Sequence, residues 1–147
     1  MYEYIRGKVQ ESMPAYVVVE AFGIGYKISM AAKALAHVSD IGSDVIVYVS
    51  LVIREHEHTI FGFLSQQERD FFEVITNVSG IGPKTGLAML GKMSMKEIVQ
   101  SIQRKDRMAL CKAPGIGKKT AERVILEMQD KLLEFVVCSD DTEEKFR

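Results

Sequence analysis

The sequence predicts an α+β protein of two domains: a five-stranded OB-like β-barrel, then an all-α domain with two helix-hairpin-helix motifs. Three observations carry that expectation. β-branched and alternating runs are confined to the first 63 residues. Capping boxes and amphipathic stretches follow them. Finally, one short phrase occurs twice: Gly80-Ile81-Gly82-Pro83-Lys84-Thr85 recurs 35 residues later as Gly115-Ile116-Gly117-Lys118-Lys119-Thr120.

The first domain is assigned to residues 1–63. Its expected strands are Tyr2–Gln10, Ala15–Ala21, Ile24–Met30, Val45–Arg54 and Thr59–Phe63. Val17-Val18-Val19 and Val45-Ile46-Val47-Tyr48-Val49 are strongly β-forming. Ser12-Met13-Pro14 and Gly42-Ser43-Asp44 punctuate them as turns. Ala31–Ala36 reads as a short helix between the third and fourth strands. Five strands with a helix in that place is the OB order, and a generic small β-barrel is the alternative.

The second domain is assigned to residues 64–135. Ser65-Gln66-Gln67-Glu68 is a capping box, so a helix starts there, with Phe71, Phe72, Ile75 and Val78 as its apolar stripe. Pro83 suits the first turn of the next helix, which ends near Gly91. Ser94-Met95-Lys96-Glu97 is a second capping box. Asp106 caps a short helix to about Lys112. The last helix spans Thr120–Leu133. Residues 136–147 contain the acidic run Asp140-Asp141-Thr142-Glu143-Glu144 and read as a flexible tail or the start of a linker.

The repeated phrase carries the function. Each copy lies between two helix-like segments. Glycine allows a turn with positive φ and lets an outside group approach bare N–H groups. The following helix points its positive end outward, where unpaired N–H groups favour a phosphate. Lys84, Lys118 and Lys119 add full charges there. The central isoleucine is expected to be buried. Gly80, Gly82, Lys84, Thr85, Gly115, Gly117, Lys118, Lys119, Thr120 and Arg123 are therefore the candidate DNA-phosphate-binding residues. Such contacts make no demand on base sequence. A third G-I-G, Gly23-Ile24-Gly25, serves as a control: strand-like sequence flanks it and no Lys-Thr follows, so it reads as a turn between strands.

The charge agrees. The net charge of −1 hides a basic block: residues 78–131 carry eleven basic and five acidic side chains, while residues 1–77 carry six and ten. A basic block coinciding with the hairpins is the footprint of a polyanion partner. No apolar run serves as a signal peptide or membrane span. Cys111 and Cys138 stand far apart without metal-ligand spacing. A soluble, cytoplasmic protein without metal or cofactor is expected.

Other motifs carry less. Gly86 to Lys92 has the spacing of a P-loop, but Met93 replaces the magnesium-binding hydroxyl and no strand precedes it. His56-Glu57-His58 lacks a third metal ligand. Two readings stay open for a tandem-hairpin chain of this kind. One is a general duplex-binding repair protein. The other is a DNA glycosylase, with Lys119 as its lysine, although no second lobe is present to hold a flipped base.

Taken together the chain resembles the RuvA family, the Holliday-junction-binding subunits of the bacterial branch-migration complex. The resemblance runs through Tyr4-Ile5-Arg6-Gly7, Gly23-Ile24-Gly25-Tyr26, Arg54-Glu55, Gly62-Phe63, both hairpins, and Thr120-Ala121-Glu122-Arg123, at least to Leu132. It implies a non-catalytic protein of recombination and repair. It implies a homotetramer, with one or two tetramers around a four-way junction. The hexameric ATPase RuvB would be the motor and the only user of ATP, and the nuclease RuvC would share the junction. It also implies an acidic pin between the fourth and fifth strands, whose carboxylates repel phosphates at the crossover. Glu55 matches the pin, His56 stands at its usual second acidic position, and Glu57 is the shifted substitute. No basic partner is assigned to either carboxylate. Family members continue through a linker to a motor-docking domain, so a chain stopping at Arg147 is expected to bind junctions without coupling to the motor.

Overall fold

The computed structural model describes residues 2–38 and 40–132. The expectations for residues 133–135 and for the acidic tail at 136–147 lie outside the described residues. Two compact units are present, the first extending to Asp70 and the second starting at Phe71.

The first unit is a closed barrel of β1 (Tyr4–Ser12), β2 (Tyr16–Ala21), β3 (Ile24–Ser29), β4 (Asp44–Arg54) and β5 (Glu57–Phe63), with α1 (Ala32–Leu35) between β3 and β4. The strand order around it is β1-β2-β3-β5-β4. All pairs are antiparallel except β3 with β5, which run parallel through Ile28↔Ile60 and Ser29↔Phe61. This is the expected OB-like barrel.

Alternation builds its interior. Ile5 and Val9, Val17 and Val19, Val47 and Val49 point inward from three strands, and Ile28, Met30, Leu35 and Val38 complete the cluster. Gly62 lies among them because nothing larger fits. A Cβ there would stand 2.6 Å from Val47 Cγ1 and closer still to Ile28 Cγ2.

The ends of the strands differ from expectation by one or two residues. β1 starts and stops two residues later, since the turn is tightened by Met13 N–H donating to Tyr16 O at 2.8 Å. β5 begins at Glu57, two residues before the expected Thr59. There the strand is solvated on both faces, so the His56-Glu57-His58 run carries no apolar alternation to betray it. The turn at the third G-I-G is made by Phe22 and Gly23, at φ 52° and 82°, and Ile24 and Gly25 already belong to β3.

One buried charge anchors this unit. Arg69, 5% exposed, donates to Glu3 O at 3.0 Å and Val49 O at 3.3 Å, and pairs with the Glu3 carboxylate at 2.5 Å and Asp70 at 2.8 Å. Every guanidinium nitrogen is used, which is what a buried cation requires. The residue lies in the first half of α2 (Gln66–Ile75), so that half belongs to the barrel unit.

The second unit contains the rest of α2, then α3 (Pro83–Lys92), α4 (Met95–Gln103), α5 (Arg107–Leu110) and α6 (Lys118–Met128). α3 covers the whole P-loop-like stretch, so that spacing is helical. Gly86 in α3 meets α2 closely: a Cβ there would lie 2.7 Å from Thr76 Cγ2 and 3.3 Å from the Phe72 ring. The residue 35 positions later, Ala121, is fully buried in α6.

Gly62→Ala should overpack the barrel and lower stability by about 1–3 kcal/mol. Chemical denaturation of the variant beside the parent checks this. An unchanged midpoint would show that Ile28 and Val47 yield without cost.

Candidate nucleic-acid interface

Helix starts are the place to begin, because a helix leaves its first N–H groups without intrahelical partners. From Gln66 onward the chain treats its helices in two ways. At α2, Ser65 Oγ accepts from Glu68 N at 3.2 Å. At α4, Ser94 Oγ accepts from Glu97 N at 3.1 Å, and at α5 Asp106 Oδ1 accepts from Ala109 N at 3.1 Å. These three starts are closed by side chains. α3 and α6 start on Gly82 and Gly117, which make no side-chain cap.

The glycines divide the work within each loop. Gly80 and Gly115 take positive φ, 94° and 82°, which a residue with a side chain adopts only with strain. Gly82 and Gly117 are extended, at φ −82° and −89°, a conformation open to any residue. A Cβ on Gly117 would meet nothing within 4 Å. The fold itself therefore has no need of glycine at 117. A side chain there would meet only solvent or an outside group.

The two loops have the same backbone wiring. Ile81 N–H donates to Val78 O at 3.0 Å, and Ile116 N–H to Ala113 O at 3.3 Å. Gly86 N–H donates to Gly82 O and Ala121 N–H to Gly117 O, both at 2.9 Å. Ile81 and Ile116 are buried, at 3% and 6% exposure, as the hairpin reading expects.

Lys84, Lys118 and Lys119 are exposed beside the open helix starts. Thr85 and Thr120 are half-buried, each against the other loop: Thr120 faces Gly80 and Thr85 faces Gly115. Arg123 reaches the first loop as well, donating to Ser79 Oγ at 2.9 Å. Sequence reasoning missed Ser79, and only this long-range contact reveals it. Arg107 and Glu122 form an exposed ion pair between α5 and α6.

The proposed pin belongs to the barrel unit. Glu55 and His56 are the two turn residues between β4 and β5, and both are exposed. Glu57 is the first residue of β5 and accepts from Thr59 Oγ1 at 3.1 Å. The expectation that neither carboxylate has a basic neighbour fails: Arg54 precedes Glu55 in the chain and is the ladder partner of Glu57. Glu55 is left as the carboxylate without a cation across the ladder.

Among the described residues, no group of three or more His, Cys, Asp or Glu side chains is placed to hold a metal ion, and no helix is long and apolar enough to cross a membrane. Cys111 is a free, half-buried thiol, and Cys138 lies outside the described residues.

Comparison with known proteins agrees with this geometry. The family model for the RuvA N terminal domain matches residues 1–62, and that for a SAM-like helix-hairpin-helix tandem matches residues 72–130. A curated relative from Protochlamydia amoebophila, named Holliday junction branch migration complex subunit RuvA, is 45% identical over 132 residues, which cover 90% of this chain and 66% of the relative. The protein of that name from Shewanella halifaxensis is 38% identical over 142 residues, covering 97% and 69%. One from Chlamydia trachomatis serovar D is 41% identical over 133 residues, covering 90% and 66%. The chain thus spans about two thirds of the length of these relatives.

The two kinds of helix start should respond oppositely to substitution. Ser94→Ala should cost about 1 kcal/mol of stability, the worth of a lost N-cap. Gly117→Ser should leave stability unchanged or raise it, since the site has room and gains a cap. Thermal melts of both variants check this, and a large loss in Gly117→Ser would show that the fold does need the glycine.

Proposed function

The chain belongs to the RuvA family, and from that premise we infer that it binds four-way DNA junctions by the backbones of their arms. Binding is indifferent to base sequence, and the chain itself is non-catalytic. It acts in the cytoplasm as a homotetramer, alone or as a facing pair, on junctions that a RuvB-type hexameric ATPase drives through branch migration. A RuvC-type nuclease is a further partner on the same junction. Residues 1–63 form the tetramer core and pin on this reading, and residues 64–135 hold the arms.

The observation that carries the reading is the pair of uncapped, lysine-flanked helix starts at Gly82 and Gly117, in a unit whose other helix starts are capped. An open N–H cluster beside lysine suits a phosphate oxygen. Two such clusters on one small unit suit two phosphates of one duplex. Gly80, Gly115, Thr85 and Thr120 build the loops. Lys84, Lys118 and Lys119 supply charge.

A gel-shift series comparing a four-way junction with a plain duplex of the same arms tests the reading. The junction should bind more tightly, and end-labelled strands should come through uncut and with every base in place. Equal affinity for the two would favour a general duplex binder, and lost bases a glycosylase. Gly117→Ser should weaken both complexes about tenfold or more, the loss of a charge-assisted hydrogen bond. Lys119→Ala should lower the salt slope by about one.

The pin generates its own expectation. Carboxylates aimed at a crossover select parted strands by repelling continuous ones. Glu55→Gln should keep or raise duplex affinity while narrowing the preference for junctions. Glu57→Gln should do less, because Arg54 stands across from it. Titration of both substrates with each variant checks this, and a clear loss of duplex binding in Glu55→Gln would contradict the pin.

A further inference from the structure

The two hairpins meet through a reciprocal contact. A Cβ on Gly80 would lie 3.6 Å from Thr120 Cγ2 and 3.7 Å from its Oγ1. A Cβ on Gly115 would lie 3.8 Å from Thr85 Cγ2 and 3.7 Å from its Oγ1. Gly115 is the repeat partner of Gly80, and Thr120 that of Thr85. Each loop's first glycine therefore faces the other loop's threonine. Such an exchange, in which residue i of one copy meets residue j of the other and the reverse, is the mark of twofold packing.

We propose that Thr85 and Thr120 are positioning residues: through their shape, each packed on the opposite hairpin's left-handed glycine, they fix the distance and angle between the two open helix starts. Their hydroxyls are not what binds DNA. The inference rests on the reading of those helix starts as phosphate sites, and deepens it.

Three observations support this assignment. Both threonines are half-buried, whereas Lys84, Lys118 and Lys119 are exposed. Both the methyl and the hydroxyl of each side chain line the space that a Cβ on the facing glycine would enter. A second tie joins the same elements, since Arg123 of α6 donates to Ser79, the residue before Gly80. α6 thus grips the first loop at two points one helical turn apart, and α3 grips the second loop at one.

The consequence is bivalency. Two phosphate sites held at a fixed separation bind one duplex as a unit, with the second contact made at high effective concentration. If the separation wavers, one hairpin lets go and its lysines stop contributing, although no lysine has been removed.

Paired substitutions separate shape from hydroxyl. Valine keeps the shape of threonine and removes the hydroxyl, and alanine removes both. Duplex affinity is measured over a salt series for the full chain and for the variants T85V/T120V and T85A/T120A, with circular dichroism and melting curves alongside. The valine pair should bind within about twofold of the parent with the same salt slope. The alanine pair should remain folded, lose about tenfold or more in affinity, and show a shallower slope as one hairpin disengages. The proposal is overturned if the valine pair loses as much as the alanine pair with both slopes unchanged, which would mean hydroxyl contacts to phosphate. It is equally overturned if the alanine pair binds like the parent. Should the alanine pair unfold, the valine pair decides: a folded protein with weak binding refutes the assignment, and parent-like binding upholds it. Failure of the parent chain itself to bind duplex or junction would instead remove the function from which this inference starts.

Discussion

An uncapped helix start is a standing deficit, and the second unit is arranged around two of them. A side-chain cap is worth about 1 kcal/mol over alanine, though only roughly a few tenths over glycine, and the same chain uses one at Ser65, Ser94 and Asp106. Gly82 and Gly117 forgo it. Everything nearby then serves to present the open N–H groups: a left-handed glycine to reverse the chain, a buried isoleucine to close the loop, and a small residue at the helix crossing. Gly86 is the small residue in the first hairpin and Ala121 in the second.

Repetition turns two weak sites into one device. Each helix start by itself is a modest attraction for an anion. The duplication places them on either side of a twofold-like contact, so the same small set of residues defines each site and locks it to the other. On the proposed reading, binding and packing are therefore not separable here. The glycines that shape the loops also leave open the space that the opposing threonines line.

Much of this was legible in the sequence because it is local. The phrase from Gly80 to Thr85 declares its chain reversal by glycine and its charge by lysine, and its recurrence removes ambiguity. The barrel was legible from its β-forming runs at Val17–Val19 and Val45–Val49 and from the turns between strands. What escaped depends on contacts distant along the chain. Arg69 reads as an ordinary helix-surface arginine until its bonds to Glu3 and Val49 appear. The start of β5 escaped because exposed strands carry no burial pattern. The Glu57–Arg54 juxtaposition needed the hairpin register. Ser79 and the facing of each threonine onto a glycine needed the tertiary packing itself.

The twofold-like exchange between the loops has one more consequence, for strand direction. Duplex DNA possesses local dyads of its own, which swap its antiparallel strands, and protein twofold symmetry is matched to them where the two meet. A reader with the same symmetry meets an equivalent backbone whichever way it is turned about that dyad. On the proposed function, the helical unit would then be nearly blind to polarity along an arm. The inequalities of the copies, Pro83 against Lys118, Gly86 against Ala121 and Ala88 against Arg123, would give it a preferred sense. Such blindness suits a substrate whose arms exchange base pairs continually while their backbones keep the same form.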